Sequence, residues 1–231
     1  MKIITALNKI PIHEGVDYLK EYYGLTGSSY PDNKPRYSGS YFELLDMDIT
    51  EQHPHRITGS DLYALTTLDI EVPRRAGIGI LATEQAEITQ LLEQIPDVKL
   101  QDLSRSEFLE HLGPDSPAAR LWDLLRRNGT TTGKWGIGPT TASKIMARKR
   151  PKLIPIQDTV VDEVVGRRRG ENAWELWWTA LSASDEALDY ADKLTKHLED
   201  RHDDIRKLST LRKLDIVLWM FGRRQRLNAS A

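Results

Sequence analysis

The stretch Lys134-Trp135-Gly136-Ile137-Gly138-Pro139-Thr140-Thr141-Ala142 leads to Pro155-Ile156-Gln157-Asp158-Thr159-Val160-Val161, whose Asp158 stands 20 residues beyond Gly138. Two glycines one residue apart supply backbone angles and close approaches that a Cβ forbids. Pro139 suits the first position of a helix, and Ala142, Ile145 and Met146 give that helix a buried face as far as about Arg148. The free amides of such a helix start, beside a glycine turn, form an anion site, and Lys134 and Lys144 are within reach of it. Asp158 heads a second helix striped with Val160, Val161, Val164 and Val165. Taken alone it is an N-cap, worth about 1 kcal/mol. The helix dipole also favours its ionised form, and a carboxylate held ionised is suited to opposing a developing sugar cation or orienting water. The residues by themselves leave both readings open.

Working outward, the periodicity predicts helices nearly everywhere. Residues 14–24 carry Val16, Leu19 and Tyr23 at helical spacing with Gly24 as a stop. Thr58-Gly59-Ser60-Asp61 opens a helix through Leu62, Leu65 and Leu68, and residues 76–94 read as one helix that Pro96 stops. Ser104-Arg105-Ser106-Glu107 starts another, and Pro117 begins one with Leu121, Leu124 and Leu125 inward, ending at Asn128-Gly129. Trp174, Trp177, Trp178 and Leu181 fall at i, i+3, i+4 and i+7, the spacing of a core stripe. Leu188, Ala191, Leu194 and Leu198 continue the pattern, and a last helix is predicted over 203–221. Strand-like alternation is scarce, and Leu153 to Ile156 is too proline-bound for a central strand. The expectation is an all-α, helix-hairpin-helix-type fold. One globular helical unit spans 1–231, with an N-terminal portion of about 1–117 and a hairpin-containing portion of about 118–231.

Leu25 to Ser40 is rich in Gly, Ser, Pro, Asn and Asp and reads as a long loop. Tyr30, Tyr37 and Tyr41 stud it, placed either to stack on a base or to plug the core. Tyr37, Tyr41 and Glu43 are candidates for the wall of a base pocket, together with His53 and His55. Two histidines at i, i+2 with no third ligand nearby are a surface loop rather than a metal site.

A hydrophobic fraction of 39% and a charged fraction of 29% allow a soluble domain with a real core. No apolar run approaches the roughly 18 residues that span a bilayer, and the N-terminus has too short an apolar core for a signal peptide. Absent cysteine excludes disulfides, a thiol nucleophile and cysteine-held zinc or iron–sulfur clusters. A cytoplasmic protein without membrane attachment is expected. The net charge of −2 argues against a general nucleic-acid coat protein, yet the charge is segregated. Between residues 133 and 170 nine basic residues face three acids, and between 171 and 204 ten acids face three basic residues. A compact basic zone on a near-neutral chain implies one anion-facing surface.

The string Trp135 to Ala142 resembles the hairpin of the helix-hairpin-helix DNA glycosylase superfamily, Gly-apolar-Gly-x-x-Thr-Ala. Pro155-Ile156-Gln157-Asp158-x-x-Val161 is similar to the approach to the catalytic aspartate in its adenine glycosylase branch. The resemblance covers about residues 118–166. It implies that double-stranded DNA with a flipped base is the partner. The backbone would be held by Gly136, Ile137, Gly138, Thr140 and Thr141, with Lys134 and Lys144, and Asp158 would be the catalytic carboxylate. Bifunctional members carry a lysine nucleophile two residues after the second glycine. Thr140 stands there, so the resemblance implies a monofunctional hydrolase with neither metal nor cofactor. The segment from Ala142 to Asp158 also resembles an uncharacterised bacterial family of unknown function, a likeness that implies no activity.

Overall fold

The computed structural model describes residues 2–25, 37–127, 133–198 and 203–229. Every regular element among them is helical, so the all-α expectation holds. In chain order the helices are α1 (Lys2–Leu7), α2 (Ile12–Tyr22), α3 (Met47–Gln52), α4 (Gly59–Ala64), α5 (Arg74–Ile78), α6 (Gln85–Gln94) and α7 (Arg105–Leu112). They continue with α8 (Pro117–Arg126), α9 (Pro139–Lys149), α10 (Thr159–Val165), α11 (Ala173–Ser182), α12 (Glu186–Lys196), α13 (Asp203–Arg206) and α14 (Thr210–Ala229). No helix of the described residues is long and apolar enough to cross a membrane.

The chain forms two compact units. One joins Met1–Tyr37 to Pro155–Ala231, and the other is the intervening Ser38–Ile154. The division expected near residue 117 does not coincide with this one, because Pro117 begins α8 inside the second unit.

The first unit is built around α14, which packs against α2, α10 and α12, while α1 lies on α10, α11 and α12. The first half of α14 is buried all round, from Leu211 to Leu218. Its charged members find partners inside the unit. Arg212 donates to Asp215 Oδ2 at 2.7 Å and to the Tyr22 hydroxyl at 3.0 Å, and Lys213 Nζ donates to Thr195 Oγ1 and the Arg206 carbonyl, both at 2.8 Å. The predicted helix over 203–221 divides into α13 and α14 and runs on to Ala229. Ser209 interrupts it by accepting the Arg212 amide, a bond that favours a helix start over a helix interior. On α11, Trp174, Trp177 and Leu181 are buried as the stripe predicts, and Trp178 is half-buried. Asn172 caps that helix through the Trp174 and Glu175 amides. Gly222 lets α10 approach α14, since a Cβ there would lie 2.5 Å from Val164 Cγ2 and 2.7 Å from Val160 Cγ1.

In the second unit α9 is central and buried from Ala142 to Lys149, packed against α4 and α8, and α6 and α7 also lie on α8. Capping boxes start α4 (Thr58 with Asp61) and α7 (Ser104 with Glu107), and Ser116 caps α8 ahead of Pro117. The helix predicted over 76–94 is not continuous. α5 runs into a π turn over Gly79–Thr83 before α6. Gly79 lies under the Trp135 indole, where a Cβ would be 2.5 Å from Trp135 Cε2. The tryptophan sits where a regular side chain would stand.

Candidate functional site

α8 and α9 flank the hairpin within the second unit. α8 ends at Arg127 in the left-handed conformation, φ 49°. The Arg127 guanidinium lies 4.8 Å from the Trp135 ring centroid and pairs with Glu84 at 2.6 Å. Trp135 is 4% exposed and Ile137 is also buried, so alternate residues of the hairpin are anchored inward. Gly136 turns outward with φ +77°, a conformation that favours glycine. Gly138 has ordinary extended angles, φ −88° and ψ 177°, and a Cβ there would meet nothing within 4 Å.

α9 then starts at Pro139 with no side-chain cap, and the first amide bond back to the turn is from Ala142 to Gly138 O at 3.0 Å. The amides of Thr140 and Thr141 have no partner among the described residues. Both side chains are half-buried, and Ser143 Oγ donates to the Thr140 carbonyl. Lys134 is exposed and makes no ion pair or hydrogen bond among the described residues. This geometry offers main-chain donors, an electropositive helix end and one free cation to an anion.

The basic zone requires a correction. Lys144 is 5% exposed, and its Nζ donates to the Leu68 carbonyl at 3.3 Å, so it points inward and away from any phosphate at the hairpin. Arg148, Lys149 and Arg150 are buried as well. Arg148 donates to the carbonyls of Phe42 and Leu45, to Thr50 Oγ1 at 3.0 Å and to Asp61 Oδ1 at 3.3 Å. Lys149 Nζ meets Asp61 Oδ2 at 3.1 Å. Arg150 donates to the carbonyls of Ile95, Pro54 and Leu92. These cations serve the negative end of α9 and the carbonyls of surrounding loops. Asp61 is their counter-ion. Burial alone raises its pKa, but the Thr58 amide, the Lys149 charge and the Thr50 hydroxyl outweigh burial and hold it below the usual carboxylate range. Arg167 is tied to Asp162 and Lys152 lies 3.4 Å from Asp97, which leaves Lys134, Arg168 and Arg169 as the exposed, unpaired cations of the run.

Asp158 belongs to the first unit. Its backbone is extended, its side chain is half-buried, and Oδ1 accepts the Val160 amide at 2.9 Å. Behind it Val161 and Val165 are buried, and Gly166 at φ +66° ends α10. The predicted cap is therefore present.

The three proposed pocket residues do not share a unit. Tyr37, in the first, stacks on Tyr22 at 5.5 Å between centroids, meets Trp219 edge-on at 5.8 Å, and carries the Arg223 guanidinium at 5.0 Å. Its hydroxyl donates to Glu21, and burial raises its pKa. Tyr41, 47% exposed, and the half-buried Glu43 lie in the second unit. Tyr30 and the Thr-rich segment before Gly133 fall outside the described residues. His55 Nδ1 lies 3.0 Å from Arg150 Nη2 and 3.3 Å from the Leu92 carbonyl, and no group of three or more metal-ligating side chains occurs among the described residues.

Residues that the sequence reading passed over stand beside the hairpin. Pro73 Cγ is 3.3 Å from where a Gly136 Cβ would be, so α5, which follows it, runs along the turn with Gly79 beneath Trp135 at its far end. Arg74, Arg75 and Ile78 are exposed on that helix. Some 60 residues separate α5 from the hairpin in the chain, and no local pattern signals the meeting.

No curated protein and no solved structure matches the chain. One family does, and its match begins within α2 and ends within α14, so that it takes in both units. The chain therefore belongs to the family of unknown function DUF6308, whose model matches residues 15–222.

Proposed function

We propose that the chain grips the backbone of double-stranded DNA through the Gly136–Thr141 hairpin and acts as a monofunctional DNA N-glycosylase with Asp158 as its carboxylate. The DNA half is carried by the open, uncapped start of α9. Gly138 needs glycine neither for its backbone angles nor for packing within the chain. A partner drawn close to the main chain does need it, and a phosphodiester fits the free Thr140 and Thr141 amides beside Lys134.

The catalytic half rests on Asp158 at the head of α10 and on the likeness of its approach to that of the adenine glycosylases. An ionised Asp158 opposes the positive charge that grows on the sugar as the N-glycosidic bond breaks. Water then adds its hydroxyl to the anomeric carbon, and its proton leaves with the departing base. Thr140 in place of lysine favours water as the nucleophile over an amine.

A second reading keeps DNA binding without catalysis. It is favoured by the hydrogen bond from the Val160 amide, since capping alone gives an aspartate employment there. Oligonucleotide duplexes bearing modified or mismatched bases separate the two. A glycosylase leaves alkali-labile abasic sites, and Asp158→Asn, which keeps the cap, abolishes them while DNA affinity stays within about twofold. Binding without abasic sites on any substrate refutes the enzyme and leaves the binding protein. Duplex binding that is absent or indifferent to salt refutes both.

A further inference from the structure

Resting on the DNA-binding reading of the hairpin, we infer that α5 supplies a second contact on the same duplex, with Arg74 and Arg75 on phosphates and Ile78 against the groove. Three observations converge on this helix.

Its cations are unspent. Arg74 and Arg75 are exposed and make no hydrogen bond, ion pair or ring contact among the described residues. Arg148, Arg150, Arg167, Arg212, Arg224 and Arg226, by contrast, are all bonded to carboxylates or carbonyls.

Its face is mixed. Ile78, 62% exposed, lies at i+4 from Arg74 and i+3 from Arg75, so all three share one side of the helix. Gly77, beside them, would meet nothing within 4 Å if it carried a Cβ, which leaves room for close approach. A large apolar side chain flanked by two unpaired guanidiniums suits a polyanion whose groove exposes sugars and base edges.

Its position is tied to the hairpin. Pro73 lies against Gly136 and Gly79 lies under Trp135, so both ends of α5 are registered on the turn within one unit. The π turn that follows is a form often found at functional sites. Arg74 and Arg75 on α5 and Lys134 on the hairpin it packs against are thus exposed cations of one unit.

The test is fluorescence anisotropy of a labelled duplex at several KCl concentrations, using full-length wild type, Arg74→Ala/Arg75→Ala, Ile78→Ala and the hairpin variant Gly138→Glu. All four positions are solvent-facing or open, so thermal melting should be unchanged and confirms folding. The double arginine variant is expected to lower the slope of log K against log salt by roughly 2 and the affinity by at least about tenfold. Ile78→Ala should weaken binding severalfold with the slope intact, because it removes a contact and no charge. If wild type binds and Gly138→Glu impairs it while the arginine variant keeps its full slope, the α5 contact is overturned and the hairpin reading survives. An Ile78→Ala protein with wild-type affinity overturns the groove contact. If wild type does not bind duplex DNA, the hairpin reading falls and this inference falls with it.

Discussion

Replacing Asp61 should unfasten the second unit. The side chain is 2% exposed and accepts from the Thr58 amide at 2.9 Å, Thr58 Oγ1 at 3.0 Å, Thr50 Oγ1 at 2.8 Å, Lys149 Nζ at 3.1 Å and Arg148 Nε at 3.3 Å. Arg148 retains its carbonyl partners without Asp61, but the Lys149 side chain is 0% exposed and loses its counter-charge. Stranding a buried charge costs about 3–5 kcal/mol, and Asp61→Ala also opens the Thr58 capping box, worth about 1 kcal/mol more. Against total stabilities of about 5–15 kcal/mol this brings the unit close to unfolding. Amide hydrogen exchange over α4 and α9 is the suitable assay, since it reports this unit apart from the other. Exchange there should accelerate by roughly a thousand- to some twenty-thousand-fold, with α14 little affected. A change below about tenfold would show that Asp61 acts as a cap alone and that Lys149 finds relief elsewhere. The pH dependence has a fixed sign. The folded pKa of Asp61 lies below its unfolded value, so its stabilisation is complete above the unfolded value, near 3.8, and is lost as pH falls through the lower folded one.

Other perturbations test the remaining contacts. Gly222→Ala gains helix propensity but drives a Cβ into Val160 and Val164; a net loss of about 1–3 kcal/mol in urea unfolding is expected, and a stabilised variant would contradict the α10–α14 contact. Gly79→Ala should expel the Trp135 indole, seen as a near-ultraviolet dichroism change and faster exchange of the hairpin amides; unchanged spectra would refute that packing. Tyr18 has its pKa raised to about 12, by burial first and then by its bond to Glu14 and that carboxylate's charge. Its contribution to stability is whole below the unfolded value near 10 and is lost as pH rises through 12. Absorbance titration should therefore find a tyrosinate appearing late, and Tyr18→Phe should flatten the fall in stability above pH 10.

Where the chain's information is local, the sequence reading held. Thr58 with Asp61, Ser104 with Glu107, and Pro117 announced their helix starts, because a cap uses only residues within one turn of each other. The Trp174–Leu181 stripe declared its inward face for the same reason, since helical spacing alone aligns it. Asp158 as a cap was equally legible, whereas of the two glycines read as needing special backbone angles only Gly136 adopts them.

The basic run was not. Its charges were plain in the sequence, but their direction depends on where distant carbonyls lie. The Phe42 and Leu45 carbonyls take Arg148, the Leu68 carbonyl takes Lys144 and the Asp61 carboxylate takes Lys149, and α9 consequently carries all three inside. The break between α5 and α6 likewise lies where Trp135, more than 50 residues away, packs on Gly79.

The amino-acid sequence by itself determined that this protein is helical, where most of its helices begin, and that an open glycine turn precedes α9, since all of these follow from backbone preferences over a few residues. Only the tertiary structure decided which cations face solvent. It turned the conspicuous basic cluster into internal struts and left the unremarked pair Arg74 and Arg75 exposed at the hairpin, because a long cationic side chain goes wherever its charge is best satisfied, and that is settled by neighbours remote in the chain.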